Sequence, residues 1–505
     1  MSNTPDSGAR TRRVVILGGG TAGWMAAAAL TSMLPPHRVS VTLVESEAIG
    51  IIGVGEATLP HLRQFNETIG LAEDVFIRET RATYKLGIEF VNWGAPGERY
   101  IHPFGAFGNE TDGIPFHQFW LASRPEAPIS DLEACSLPIQ ACRANRFARP
   151  QSDQPGLADS YGYAYQFDST LYAPLLRRHA EARGAIRIEG RALGADQDAL
   201  TGNITAIRLD GGERIEGDFF IDCSGFKGLL IEDTLASGYE DWSNWLPCDQ
   251  AIAAPTALTG PRPPYTRATA GDAGWQWRIP LQHRMGNGHV YASDFLSDDA
   301  ADEAFLTALD SEPLAEPRRL FFKTGKRKSI WSHNCISAGL ASGFLEPLES
   351  TSIHLTQLAI THFLELFPLG DDCAVERTAY NALMNREFER VRDFLILHYV
   401  ATRREDSEFW RYMRAMDIPD SLAEKRALFE ATGRVATYQQ GLFLEPSWIA
   451  VYLGQGVRPR ALDPRLSRYD NARLNASIDK LQGQIRELVA QHPDHDSLFD
   501  TGVVA

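Results

Sequence analysis

Cysteine is scarce in this chain. Six residues (Cys135, Cys142, Cys223, Cys248, Cys335 and Cys373) are scattered over 505 positions. None forms a CxxC pair and no Cys/His cluster has zinc-ligand spacing, so a disulfide scaffold and a structural metal module are both excluded. Long apolar runs are missing too. No stretch reaches the length of a transmembrane helix, and the polar start MSNTPDSGARTRR runs straight into VVILGGG, unlike a secretory signal. These absences predict a cytoplasmic protein with reduced thiols and no membrane partner. Positive charge is in short supply: 49 Lys and Arg stand against 65 Asp and Glu, for a formal net charge of −16. The longest basic run, KTGKRK at Lys323–Lys328, is too short to offset that, which argues against a nucleic-acid partner. Internal repeats and low-complexity tracts are absent. What remains is 44% hydrophobic and 23% charged, the make-up of a globular chain with a sizeable core.

The first chemical signal is Gly18-Gly19-Gly20-Thr21-Ala22-Gly23, which satisfies GxGxxG through Gly18, Gly20 and Gly23. It follows a β-branched run (Arg13 to Leu17), opens an Ala-rich helical stretch (Thr21 to Ser32), and precedes a second strand-like segment, VSVTLVE, ending at Glu45. In such a unit the first glycine permits the tight turn and the second lets backbone approach a pyrophosphate. The third lets the helix pack close to the strand. An acid at Glu45 suits an unphosphorylated ribose, as in FAD or NAD. Three further glycine turns follow: Gly53-Val54-Gly55-Glu56-Ala57-Thr58, Asp222-Cys223-Ser224-Gly225 and Gly339-Leu340-Ala341-Ser342-Gly343. Several glycine approaches to one ligand favour a long cofactor, FAD, over NAD.

Along the rest of the chain the patterns predict a helix near Thr58–Leu71, one alternating strand over Ala82–Trp93, and long loops over 94–160. They predict a helix over Ser169–Arg183, hairpins over Ile186–Phe220, short strands over 255–300 and a helix over 301–320. Ile330–Ser337 reads as a strand and Thr351–Phe367 as a helix. Beyond 370, charged amphipathic helices dominate, including 372–404 and 471–491. Leu474, Ile478, Leu481, Ile485 and Leu488 follow helical spacing over too few heptads for a coiled coil, so this helix is expected to pack on its own chain. In the 82–93 alternation Lys85, Gly87 and Glu89 share one face, and a lone lysine on such a face is ordinarily solvated.

Trp275-Gln276-Trp277-Arg278-Ile279-Pro280 spells WxWxIP. With GGGTAGW, GVGEAT, TYKLGIEFVNW, IDCSGF and GFLEPLESTSIHL in the same order, the chain resembles flavin-dependent halogenases of the tryptophan halogenase type over essentially its whole length. The resemblance implies an α/β fold of mixed α+β character: a GxGxxG Rossmann-like core of the flavin monooxygenase type with an added, mostly helical substrate-binding part. The expected layout is a FAD-binding core over 10–365, with insertions at about 63–165 and 240–320, and a helical part over 366–505.

The resemblance also implies the chemistry. Reduced FAD (FADH2) and O2 convert chloride or bromide to hypohalous acid, which halogenates an electron-rich aromatic elsewhere in the protein. A separate NAD(P)H-dependent flavin reductase is the implied partner, and a monomer or homodimer the implied state. Lys85 would hold the hypohalous acid or form a haloamine, and Glu349, rather than Glu346, would assist substitution. The implied FAD contacts are Gly18, Gly20, Thr21, Ala22, Gly23, Glu45, Gly55, Glu56, Ala57, Asp222, Gly339 and Leu340. Trp275 and Trp277 would wall the flavin off from the organic substrate, and the halide would sit near Thr351 and Ser352, where many relatives carry glycine in place of Ser352. His102, Phe104 and Trp448 would line the substrate pocket. The stretch Phe443-Leu444-Glu445-Pro446-Ser447-Trp448 has no Tyr-Tyr pair of the kind that grips tryptophan, so indole or an indole derivative is the expected substrate. The alternatives are tryptophan itself and a single-component aromatic monooxygenase.

Overall fold

The computed structural model describes residues 10–49, 55–151, 156–368, 370, 372–436 and 441–500. The run ahead of the glycines forms strand Arg12–Leu17, the Ala-rich stretch forms helix Thr21–Met33, and VSVTLVE forms strand Val39–Glu45. These strands lie in a six-stranded sheet ordered Trp331–Ser332, Cys335–Ser337, Phe219–Asp222, Arg12–Leu17, Val39–Glu45, Ile186–Glu189. All pairings are parallel except the short outer hairpin at Trp331–Ser332. Helices cover such a sheet, which is why Val14–Leu17 and Phe219–Asp222 are continuously buried rather than alternating. Ligands of parallel sheets bind at the carboxyl ends of the strands. Here Leu17, Asp222 and Ser337 all hand over to glycine-bearing turns at that edge.

A second, seven-stranded sheet is ordered Arg318–Phe321, Gln250–Thr256, Met285–Tyr291, Gly274–Pro280, Thr266–Ala270, Gly87–Val91, Arg99–Pro103. It is antiparallel except where Thr266–Ala270 runs parallel to Gly87–Val91. A small sheet of Glu56–Ala57, Ala164–Phe167 and Thr83–Lys85 stands beside it.

Several expectations are corrected. Ala82–Trp93 is not one strand. The chain leaves the small sheet after Lys85 and enters the large one at Gly87, with the Leu86 N–H donating to Pro264 O (2.7 Å). Residues 94–160 are not loop alone: they also hold strand Arg99–Pro103 and helices Phe116–Ser123, Ile129–Glu133 and Leu137–Arg143. Their prolines suggested loops, but Pro115 and Pro128 precede helices and Pro138 sits in a first turn, where a missing N–H costs nothing. The helix expected at 301–320 is Asp298–Thr307, followed by strand Arg318–Phe321, and Ile330–Ser337 is a hairpin.

The C-terminal part is helical as expected, with Ala374–Val400, Glu408–Ala415, Asp420–Thr432, Glu445–Gly454 and Asn471–Gln491. Asn471–Gln491 packs on Phe116–Ser123 and Leu137–Arg143, burying Ile478, Ile485 and Val489 against its own chain. Val14 of the first sheet and Val489 belong to one contiguous hydrophobic core. No helix among the described residues is long and apolar enough to cross a membrane.

Candidate active site

A cavity of about 1230 Å³ opens at the carboxyl edge of the parallel sheet. Gly18, Gly20, Thr21, Ala22, Glu45, Gly55, Glu56, Ala57, Gly225, Gly339 and Leu340 all line it, so four separate glycine turns converge on one space. Gly53 and Val54 lie outside the described residues. The backbone demands glycine where it matters. A Cβ on Gly18 would stand 2.2 Å from Cys223 O, whereas one on Gly20 would meet nothing within 4 Å, leaving its backbone open to the cavity. Gly20 caps helix Thr21–Met33 without a side-chain cap, and no acid occupies the first turn. The first N–H groups are thus free for an anion such as a pyrophosphate. A Cβ on Gly23 would fall 1.8 Å from Gly18 O, so that glycine serves helix–strand contact and does not line the cavity. Asp222 does not line it either. Its buried carboxylate instead accepts N–H bonds from Ser224, Leu230 and Ile231 at 2.8–2.9 Å, holding the turn that Cys223 and Gly225 present.

Glu45 faces the cavity within a charged frame: Arg187 and Arg177 pair with its carboxylate, and Trp24 Nε1 donates to it at 3.4 Å. Arg177 also lines the cavity, with Thr170, Ala173 and Pro174 on the same helical face. Glu56 lines it with its carboxyl pushed up to about 7 by burial and by the neighbouring charge of Asp168. The glycine cradle, the free helix start and the size of the cavity fit a dinucleotide such as FAD.

Trp275 and Trp277 project from one face of strand Gly274–Pro280 into the same cavity, ring centroids 6.0 Å apart. Trp277 lies flat over Gly288 of the next strand, where a Cβ would be 2.0 Å from its ring. Behind Trp275 sits Glu346, fully buried and flanked by Tyr399, Trp275 and Cys248. Burial pushes its carboxyl up to about 7, only partly offset by those neutral neighbours.

Lys85, expected on geometry alone to be solvated, is fully buried. The switch between sheets at Leu86 turns it inward, away from any alternating face. Its Nζ donates to Thr58 O at 3.1 Å and to Ser350 Oγ at 3.0 Å, and stands 5.2 Å from the Phe104 ring centre. Burial drives the ammonium down from 10.5 to about 7, against an upward pull from Glu349. Lys85 and Glu349 do not line the large cavity, but Ser350 does, and its hydroxyl joins the cavity wall to the Lys85 ammonium. Ser350 is left-handed (φ 58°) and Thr351 right-handed (φ −88°), a nest-like pair directly ahead of helix Ser352–Glu365. Thr351 is buried with its hydroxyl unpartnered, and Ser352 reaches the cavity.

Glu349 is fully buried between two imidazoles. His102 Nδ1 donates to its two oxygens at 2.9 and 3.0 Å, and His398 Nε2 lies 2.9 Å from Oε1, off the ideal hydrogen-bond axis. Burial alone would raise the Glu349 carboxyl, but the two histidines outweigh it and hold the group down at about 2. Beside this cluster is an aromatic box. Phe443 stacks on Phe394 at 3.8 Å, Trp448 meets Phe394 edge-on at 5.2 Å, and His102 contacts Phe394 edge-on at 5.6 Å, with Phe104 beyond it at 6.4 Å.

Sequence reasoning missed His398, Ser350, Phe394 and Arg177. His398 stands in the apolar run FLILHYV, which reads as ordinary core. Ser350 was visible only as the neighbour of Glu349. Arg177 was findable from its spacing along the helix.

The tryptophan halogenase family profile matches residues 13–471. A tryptophan 6-halogenase from Streptomyces toxytricini is 34% identical over 96% of this chain and 97% of its own. Among solved structures, a flavin-dependent halogenase from Xanthomonas campestris superposes with a TM-score of 0.93 at 44% identity, covering 97% of both chains. Another from Brevundimonas sp. BAL3 gives 0.92 at 44% identity over 97% of this chain and 98% of that one. With its glycine-lined cavity and the buried lysine and glutamate beyond it, this chain belongs to the tryptophan halogenase family of flavin-dependent enzymes.

Proposed function

We propose that this protein is a two-component halogenase that uses FADH2, O2 and chloride or bromide to halogenate indole or an indole-like aromatic. A separate NAD(P)H-dependent reductase supplies the reduced flavin. The observation that carries this is the division of labour across Ser350: a cofactor-sized cavity on one side, and a dry cluster of Lys85, Glu349, His102 and His398 on the other. Reduced FAD, when bound, supplies with O2 the oxidising power that turns halide into hypohalous acid. The residues named above for the cavity would hold it.

The chain's own groups do the rest. Trp275 and Trp277 wall the cavity and keep an organic substrate out of it. The nest at Ser350–Thr351 and the start of helix Ser352–Glu365 offer N–H groups to the halide. Lys85, near neutrality, presents either an N–H donor or a free amine to hypohalous acid arriving past Ser350. The aromatic box around Phe394 would orient the ring, and Glu349, ionised throughout the working range, stabilises the cationic intermediate and takes its proton. Indole is preferred over tryptophan because the stretch from Phe443 to Trp448, which supplies two rings of the box, has no Tyr-Tyr pair of the kind expected to grip tryptophan.

The test combines purified protein, flavin reductase, FAD, NADH, O2, bromide and indole. Halogenated indole that disappears when halide or reductase is left out supports the reading. NADH consumption by the protein alone, with an oxygenated product, would replace it with a single-component monooxygenase.

A further inference from the structure

His398 carries a second assignment, which rests on the halogenation reading. It ends the helix Ala374–Val400, is fully buried, and packs against Phe90, Phe394 and Trp93 with ring centroids at 4.7, 5.0 and 6.0 Å. Its Nδ1 lies 2.8 Å from Phe394 O, one turn earlier. A carbonyl only accepts, so Nδ1 carries a proton. Nε2 then lies 2.9 Å from Glu349 Oε1, off the hydrogen-bond axis. A neutral imidazole protonated at Nδ1 would leave an unprotonated, electron-rich nitrogen in contact with a carboxylate oxygen in a buried interior, an arrangement with no compensation. A second proton on the ring removes the clash and gives the buried carboxylate its counter-charge. His102 supplies a further donor from the opposite chain segment.

We propose that His398 is a positioning residue held as an imidazolium, which keeps the buried Glu349 ionised and aimed so that it can take the proton leaving the aromatic ring. Before that transfer the pair is carboxylate plus imidazolium, with no net charge. In the transfer the ring C–H bond breaks, its electron pair restores the aromatic ring, and the proton bonds to a Glu349 oxygen. The positive charge of the arene cation is then accounted for by the imidazolium, now facing a neutral acid. Without His398, only His102 opposes the burial that favours the protonated acid, and Glu349 becomes a poorer acceptor for the ring proton.

Two measurements test this. In a single turnover with indole and ring-perdeuterated indole, the wild type is expected to halogenate both at the same rate. His398→Gln is expected to slow substitution and to show an isotope effect of roughly twofold or more, because proton loss becomes limiting. FAD affinity and flavin reoxidation rate should stay at wild-type values. Equal rates for the two indoles in His398→Gln would overturn the assignment, since a merely structural loss slows both alike. Independently of turnover, 15N-histidine NMR of the wild type, assigned with His398→Asn, should show both His398 nitrogens protonated at neutral pH, with Nε2 losing its proton in Glu349→Gln. An unprotonated Nε2 in the wild type would also overturn it. If the wild type yields no halogenated indole, the reaction is misread, and the NMR result still decides the charge on His398.

Discussion

Glu346 and Glu349 stand three residues apart in one segment, both fully buried, yet their surroundings drive them in opposite directions. Glu346 lies behind the tryptophan wall among Trp275, Tyr399 and Cys248, none of them charged, and burial lifts it to about 7. Glu349 lies between His102 and His398 and is held at about 2. The segment itself does not distinguish them. The difference comes from strand Arg99–Pro103 and helix Ala374–Val400, which bring an imidazole each to one carboxylate and not to the other. A buried acid next to neutral donors is a structural group that is protonated part of the time. A buried acid clasped by two imidazoles is a permanent anion, fit to stabilise a cation and take a proton.

The largest expected effect concerns Lys85, which stands in the field of Glu349. Lys85→Ala should lower halogenated product by at least about 10²-fold, with FAD affinity unchanged, as read by product mass spectrometry and flavin fluorescence. Retained product would separate Lys85 from the Glu349 side altogether. Stability sharpens the comparison next. Glu346 is raised above its ordinary 4.5, so its protonated form is favoured by folding. That contribution is full below 4.5 and is lost as pH rises toward about 7. Replacing it with a neutral isostere, Glu346→Gln, should therefore stabilise the protein by up to ~3 kcal/mol above pH 7 relative to the difference at pH 4, measured by urea unfolding. Glu349 runs the other way, losing its contribution as pH falls from 4.5 to about 2.

A third prediction separates two groups that titrate alike. Lys85 and Glu346 both titrate at about 7. The substitution rate should fall as pH drops below that value because Lys85 becomes an ammonium, and Glu346→Gln should leave this limb in place. A limb that vanishes in Glu346→Gln would move the titration to the wrong side of the wall. The smallest effect is expected at Ser352→Gly, which should change the ratio of chloride to bromide use in competition while leaving total turnover close to wild type.

The cofactor half of the molecule was legible because it is local: Gly18 to Glu45 is one continuous strand–turn–helix–strand unit whose glycines and end residues can be read in order. Asp222 shows the limit, since its place in a glycine turn pointed to the ligand while its carboxylate is spent on three backbone N–H groups. The half around Lys85 and Glu349 is non-local. Alternation put Lys85 on a solvated face, but the exchange of sheets at Leu86 buries it, and no period within 82–93 encodes that. His398 was invisible because its chemistry depends on which carboxylate a distant turn places beside it.

The central claim is that Glu349, not Glu346, belongs to the chemistry. It is tested most directly by assaying Glu349→Gln and Glu346→Gln side by side with reductase, FAD, NADH, O2, bromide and indole. The expected result is a fall of about 10²- to 10⁴-fold in brominated indole for Glu349→Gln, with equal flavin binding, and near wild-type product for Glu346→Gln. Comparable loss in both variants, or full activity in Glu349→Gln, would contradict it.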